Sequence, residues 1–202
     1  MMVISSFLLD FVLIGCFRRY QSINQVAAMV NNNLLNTEED FKSDEQFDAY
    51  AEKLLDAIQS GATLKDVYAV PDSTMQDVYK LAYDFYHHGK LDDAESLFRF
   101  LCIYDFYNPE YAMGLAAVYQ LKKNYAKAIE FYALAYSLSK EDYRPMFYAG
   151  QCNLMLHQGV QARRCFDIVI NRCNDALLSE KAKAYISALN KINNDDTNVP
   201  EE

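Results

Sequence analysis

The chain has 202 residues, half of them apolar, and a formal net charge of −9, a length that fits one compact domain with tails. So acidic a chain lacks the basic footprint that nucleic acid or an anionic membrane surface demands, and 6 Gly with 4 Pro are too few for the turns of an all-β fold. With 16 Tyr and 12 Phe but no Trp, it can bury a core and still present amphipathic rings to a partner.

Residues Val3 to Cys16 are apolar and end in Leu-Ile-Gly-Cys, which resembles the ending of a bacterial lipoprotein signal. No Lys or Arg precedes the run, Asp10 interrupts it and Arg18-Arg19 follow it, which reverses the usual charge order. It is also shorter than the roughly 20 residues of a spanning helix. The expectation is a non-native upstream extension with the working start near Met29, a true signal or anchor and an additional interaction helix being the alternatives. Asn31 to Glu45 is polar and aperiodic and reads as a linker, so residues 1–45 form an N-terminal extension and linker.

A helix is expected next, because Ser43 and Gln46 have capping-box spacing. Phe47, Ala51, Leu54, Leu55 and Ile58 make one apolar stripe along it, a candidate dimerisation face. Ser60-Gly61 stops this helix. A turn through Leu64 and Val67 leads to Pro71, and Ser73 with Gln76 offers a second capping box, which completes a helical region over 46–74.

From Met75 the chain repeats itself every 34 residues. Ala94, Ala128 and Ala162 align, as do Phe98, Tyr132 and Phe166, and Leu101, Ala135 and Val169. Ala82, Ala116 and Gly150 form another column, then Val78, Ala112 and Met146, while Asn153 breaks the column of Phe85 and Tyr119. Small residues let paired helices approach, large ones fill the space between pairs, and three stacked pairs make one continuous core. The repeats are Met75–Asn108, Pro109–Asp142 and Tyr143–Ala176. Gly89 marks the turn inside the first pair, Asn108 caps a helix opening on Pro109, and Asp142 caps one that tolerates Pro145 in its first turn. An amphipathic helix through Leu178, Ala182, Tyr185, Ile186 and Leu189 caps the stack, so the repeat domain covers 75–192. Residues 193–202 read as a disordered acidic tail.

Chemistry-bearing constellations are weak. The five cysteines, Cys16, Cys102, Cys152, Cys165 and Cys173, make no CxxC or Cys/His cluster, so no metal site and no cofactor are expected. His87, His88 and His157 fall in helix-end turns without a nucleophile beside them. Asp92-Asp93 and Glu38-Glu39-Asp40 lie on solvated segments, and no G-x-G or GK[ST] loop could cradle a phosphate. A binding protein is expected, not an enzyme.

The period of 34 and its small/large pattern resemble the tetratricopeptide repeat, which implies an all-α fold of three helix-turn-helix pairs. In that family the first helix of each pair lines a concave groove. The resemblance places Gln76, Tyr79, Tyr83 and Tyr86 there from the first repeat, Glu110, Met113, Ala117 and Gln120 from the second, and Arg144, Phe147, Gln151 and Leu154 from the third. Helical spacing supports the first set independently. Tyr79, Tyr83 and Tyr86 share a face opposite Val78, Leu81, Ala82 and Phe85. The tyrosines serve either a partner or the helix through Phe47–Ile58. Repeat domains that clamp a charged carboxyl terminus carry Lys and Asn where Tyr79 and Tyr83 stand, so an extended apolar peptide fits better.

Longer runs narrow the resemblance. Gly61-Ala62-Thr63-Leu64-Lys65-Asp66-Val67, the segment from Phe98 to Asn108, Met113 to Gln120, Asp142-Tyr143-Arg144-Pro145 and Gly150-Gln151-Cys152 resemble the class II chaperones of type III secretion. They resemble those of the Salmonella and Shigella invasion systems in particular, over about Ala51 to Leu189. The resemblance implies a cytoplasmic homodimer that holds membrane-inserting translocators through an extended Pro-x-Leu-x-x-Pro segment. It also implies assistance to an AraC-type activator once free of client. A general repeat scaffold is the alternative reading.

Overall fold

The computed structural model describes residues 56–57, 59–139 and 141–196, with the side chains of 192–196 left aside. The chain divides into two compact units, Met1–Ala62 and Thr63–Glu202. The N-terminal extension, the linker, the Ser43/Gln46 box and the stripe of Phe47, Ala51, Leu54, Leu55 and Ile58 lie outside the described residues. What is described of the first unit is the end of a helix. Gly61 takes a left-handed φ of +91°, and the Ala62 N–H reaches back to the Ala57 carbonyl at 2.9 Å. This is the stop expected of Ser60-Gly61.

In the second unit, the expected turn at Leu64 is a one-turn helix, α1 (Leu64–Val67). Thr63 causes it. Its hydroxyl accepts from the Asp66 N–H, while the Asp66 carboxylate accepts from the Thr63 N–H at 2.9 Å, a reciprocal capping box. The box expected at Ser73 and Gln76 does not form. Helix α2 (Asp72–His87) opens directly after extended Pro71, which places Ser73 inside the first turn, where it caps nothing.

The three pairs follow as α2 with α3 (Leu91–Tyr104), α4 (Pro109–Leu121) with α5 (Tyr125–Ser139), and α6 (Arg144–Met155) with α7 (Gly159–Arg172). A final helix α8 (Ala176–Asp196) ends the described chain. Helices α2 to α8 each pack chiefly on their neighbours in sequence, as a stacked repeat array requires. The repeating columns are the core. Ala82, Ala94, Ala116, Ala128 and Ala162 are fully buried, and Phe98, Tyr132 and Phe166 fill the spaces between them. At Gly150 a Cβ would sit 2.7 Å from the Phe166 ring, so the column needs its smallest member there. Asn153, which breaks the aromatic column, is buried and donates to the Ala149 carbonyl at 2.8 Å.

The turns inside the pairs share one geometry. Gly89, Lys123 and His157, each 34 residues on, have φ of +70°, +60° and +57°. In each, the following N–H bonds the carbonyl five residues back at 2.9 Å: Lys90 to Phe85, Asn124 to Tyr119, Gln158 to Asn153. These are Schellman stops. Between pairs, side chains cap the next helix. Asn108 accepts from the Glu110 N–H at 3.0 Å ahead of Pro109, and Asp142 accepts from the Arg144 N–H at 2.9 Å. Asp175 does the same for α8, which lays Ala182, Tyr185, Ile186 and Leu178 over Phe147, Phe166 and Val169. Helix α8 runs on to Asp196, past residue 192.

Candidate peptide-binding cleft

The first helices of the pairs, α2, α4 and α6, bring most of the expected groove residues around one open cleft of about 420 Å³. Tyr79, Tyr83 and Tyr86 form one wall. Their spacing on α2 stacks Tyr83 between Tyr79 and Tyr86, with ring centroids 6.3 and 6.2 Å away. Tyr79 is braced from behind, by the edge of Phe98 at 5.9 Å and by Tyr111 at 5.7 Å. Tyr83 is half exposed, a large ring held in place and left open. Met113, Ala117 and Gln120 of α4 form the floor.

Glu110 and Arg144 occupy the same position of successive repeats and close one side. Arg144 Nη2 donates to Glu110 Oε1 at 2.8 Å and to Asp142 Oδ2 at 2.7 Å. Gln76, the first-repeat counterpart, lies in an adjoining recess with Tyr79, Asn108, Glu110 and Tyr111. The other third-repeat residues are elsewhere. Phe147 is buried against Phe166 and Tyr185, Gln151 donates to the Tyr185 hydroxyl at 2.8 Å, and Leu154 packs on the C-terminal cluster. Helix α8 thus engages Phe147 and Gln151, two positions whose counterparts in the second repeat face the cleft.

Other lining residues escaped the repeat-based expectation. Phe98, Gly114, Leu121, Tyr132 and Tyr148 complete the cleft. Gly114 is small because α4 crosses the Phe98 ring, and Tyr148 follows Phe147 around α6 so that it faces Tyr132, centroids 5.7 Å apart. The signal available for Tyr132 was its hydroxyl in a column otherwise made of Phe.

Burial, with the nearby Glu110 carboxylate adding to it, raises the Tyr79 phenol above its ordinary value, and burial raises that of Tyr86. Both stay neutral at physiological pH and can donate to peptide carbonyls. The histidines have packing roles. The His87 ring meets Tyr83 at 4.4 Å, His88 Nδ1 lies 2.7 Å from the Asp84 carbonyl oxygen, and His157 holds the left-handed turn position. Among the described residues no helix is long and apolar enough to cross a membrane.

Stacked helix pairs around an aromatic, concave cleft with few, placed polar groups define a peptide-binding repeat domain. The tetratricopeptide repeat model matches residues 75–108 and 109–142, the bounds of the first two repeats. The chaperone protein SicA of Salmonella typhimurium is 51% identical over 150 residues, which cover 74% of this chain and 91% of that relative. Among solved structures, the type III secretion translocator chaperone SycD of Yersinia enterocolitica superposes with a TM-score of 0.58 at 26% identity, over 65% of this chain and 98% of that one. PcrH of Pseudomonas aeruginosa, solved with the chaperone-binding region of PopD, gives 0.57 at 26% identity, over 61% and 96%. The chain belongs to the family of SicA-like class II type III secretion chaperones.

Proposed function

We propose that this chain is a cytoplasmic chaperone that binds translocator subunits of a type III secretion system, acting by binding alone. An extended Pro-x-Leu-x-x-Pro-type segment lies in the cleft between α2 and α4. Its small apolar side chains sit against Tyr79, Tyr83, Met113 and Ala117, while neutral Tyr hydroxyls and the Gln120 amide bond its backbone. The observation that carries this reading is the wall of three stacked tyrosines braced by Phe98 and Tyr111. The SycD and PcrH likenesses support it, since SycD is a translocator chaperone and PcrH is seen with the chaperone-binding region of PopD.

The physical logic is sequestration. A segment destined for a membrane aggregates in water, and covering its anchors under an acidic surface keeps the pair soluble. Release at export requires that the grip stay moderate, which an extended peptide ordered on binding provides. The test is a pull-down from cells expressing the cognate secretion operon, with the Tyr79→Ala/Tyr83→Ala/Tyr86→Ala variant alongside and circular dichroism on both. Recovery of apolar translocators by the wild type alone is the expected result. Equal recovery by a folded triple variant would move the client off this cleft and favour a scaffold.

A further inference from the structure

Within the cleft one buried hydroxyl is unexplained by packing. The column Phe98, Tyr132, Phe166 fills equivalent core positions, and all three rings are fully buried. Only the middle one carries an oxygen. Burying a hydroxyl costs free energy unless it is hydrogen-bonded, and a third Phe would fill the same space without that cost. Tyr132 has one hydrogen-bond partner among the described residues, Gln120 Oε1 at 2.6 Å. Both side chains line the cleft.

That bond fixes the amide. The buried hydroxyl must place its one proton on an acceptor, so Oε1 of Gln120 faces Tyr132 and cannot turn to the cleft. Nε2 is left with no partner among the described residues, on a side chain that lines the cleft. The equivalent positions in the other repeats, Tyr86 and Leu154, offer no amide. Gln151 has one, but its Nε2 is already donated to Tyr185.

We propose that Tyr132 is a positioning residue that orients the Gln120 amide so that its NH₂ group donates to a backbone carbonyl of the bound extended segment. This rests on the function proposed above and adds the origin of its register. An apolar floor lets a peptide slide, whereas one pre-aimed donor rewards a single placement of the carbonyl.

The test uses the full chain and a fluorescein-labelled peptide containing Pro-Ala-Leu-Ala-Ala-Pro, read by fluorescence anisotropy. Tyr132→Phe should weaken binding about three- to tenfold, the loss of one hydrogen bond, with the urea midpoint held near that of the wild type. Gln120→Met, which keeps length but lacks the donor, should weaken it by the same factor. The double variant should bind no more weakly than Gln120→Met alone. Unchanged affinity in either single variant, or losses that multiply in the double, overturns the proposal. Failure of the function itself reads differently, because the wild type would then leave the peptide unbound.

Discussion

Replacing Gly114 by Ala perturbs the core and the cleft through one atom. A Cβ built at Gly114 would lie 2.2, 2.5 and 2.7 Å from three carbons of the Phe98 ring. Carbon pairs are comfortable from about 3.5 Å, so ring and helix must separate by roughly 1.3 Å. Phe98 is fully buried between α2 and α4, and the Tyr79 ring packed on it at 5.9 Å must move if it moves. Overpacking of this kind costs about 1–3 kcal/mol, and three atoms in collision place the cost in the upper part of that range. Ala recovers about 1 kcal/mol of helix propensity over Gly. The net expectation is a loss of about 1–2 kcal/mol, read from urea denaturation followed by circular dichroism. Gly159→Ala is the control, since its nearest neighbour, Leu189 Cδ2, stands at an ordinary 3.9 Å, and it should change stability by less than about 0.5 kcal/mol. The displaced Phe98 ring also braces Tyr79, so peptide affinity should fall together with stability. A Gly114→Ala protein as stable as the wild type would refute the close helix approach on which this reasoning depends.

Other perturbations test the remaining levels of the structure. Lys123→Gly and His157→Gly relieve left-handed backbone at two Schellman turns and should each stabilise by about 0.5–1 kcal/mol, whereas Gly89→Ala should destabilise by about as much; differential scanning calorimetry on the three variants distinguishes these signs. Burial pushes the Cys102 and Cys152 thiols up to about 12, so at pH 8 only about one molecule in ten thousand carries the thiolate. Neither thiol should react with iodoacetamide at pH 8 in native protein, while both should in urea, as peptide mass spectrometry would show. The same raised values make stability pH-dependent: the contribution is complete below the unfolded thiol value near 9 and is lost as the pH rises toward about 12. Stability constant from pH 8 to pH 11 would contradict the burial of these groups.

The stacking of the repeats was legible in the sequence because a core column cannot drift. Ala94, Ala128 and Ala162 are small where two helices touch, and Phe98, Tyr132 and Phe166 are large where they part, so the period of 34 exposes both. Caps at Asn108 and Asp142 were legible for the same reason, each side chain having a local donor to satisfy. Local signals failed where a neighbouring local signal won. Pro71 opened α2 before Ser73 could cap it, and a Thr63–Asp66 box turned an expected turn into α1. The left-handed turn residues Lys123 and His157 carry no Gly signal, and only their register with Gly89 reveals them.

The cleft was less legible than the core because a groove position is defined by what does not cover it. Phe147, Gln151 and Leu154 stand in register with Met113, Ala117 and Gln120, and in an unending array they would line the same surface. The array ends, however, and the last pair must hide its apolar face. Helix α8 does this, taking Phe147 and Leu154 into the C-terminal cluster and tying Gln151 to Tyr185. The same step explains where aromatic side chains remain available. Tyr83 in the first repeat and Tyr148 on the cleft-facing edge of the third are exposed, while Tyr185 spends its ring on Phe166, stacked at 4.9 Å. The cap that stabilises the stack therefore also sets the length of the groove: it confines the open cleft to the first two repeats and the near edge of the third. On the proposed function, a segment held there is bounded by the tyrosine wall, the Gln120 amide and the Glu110–Arg144 pair, which suits a short extended motif better than a long helix.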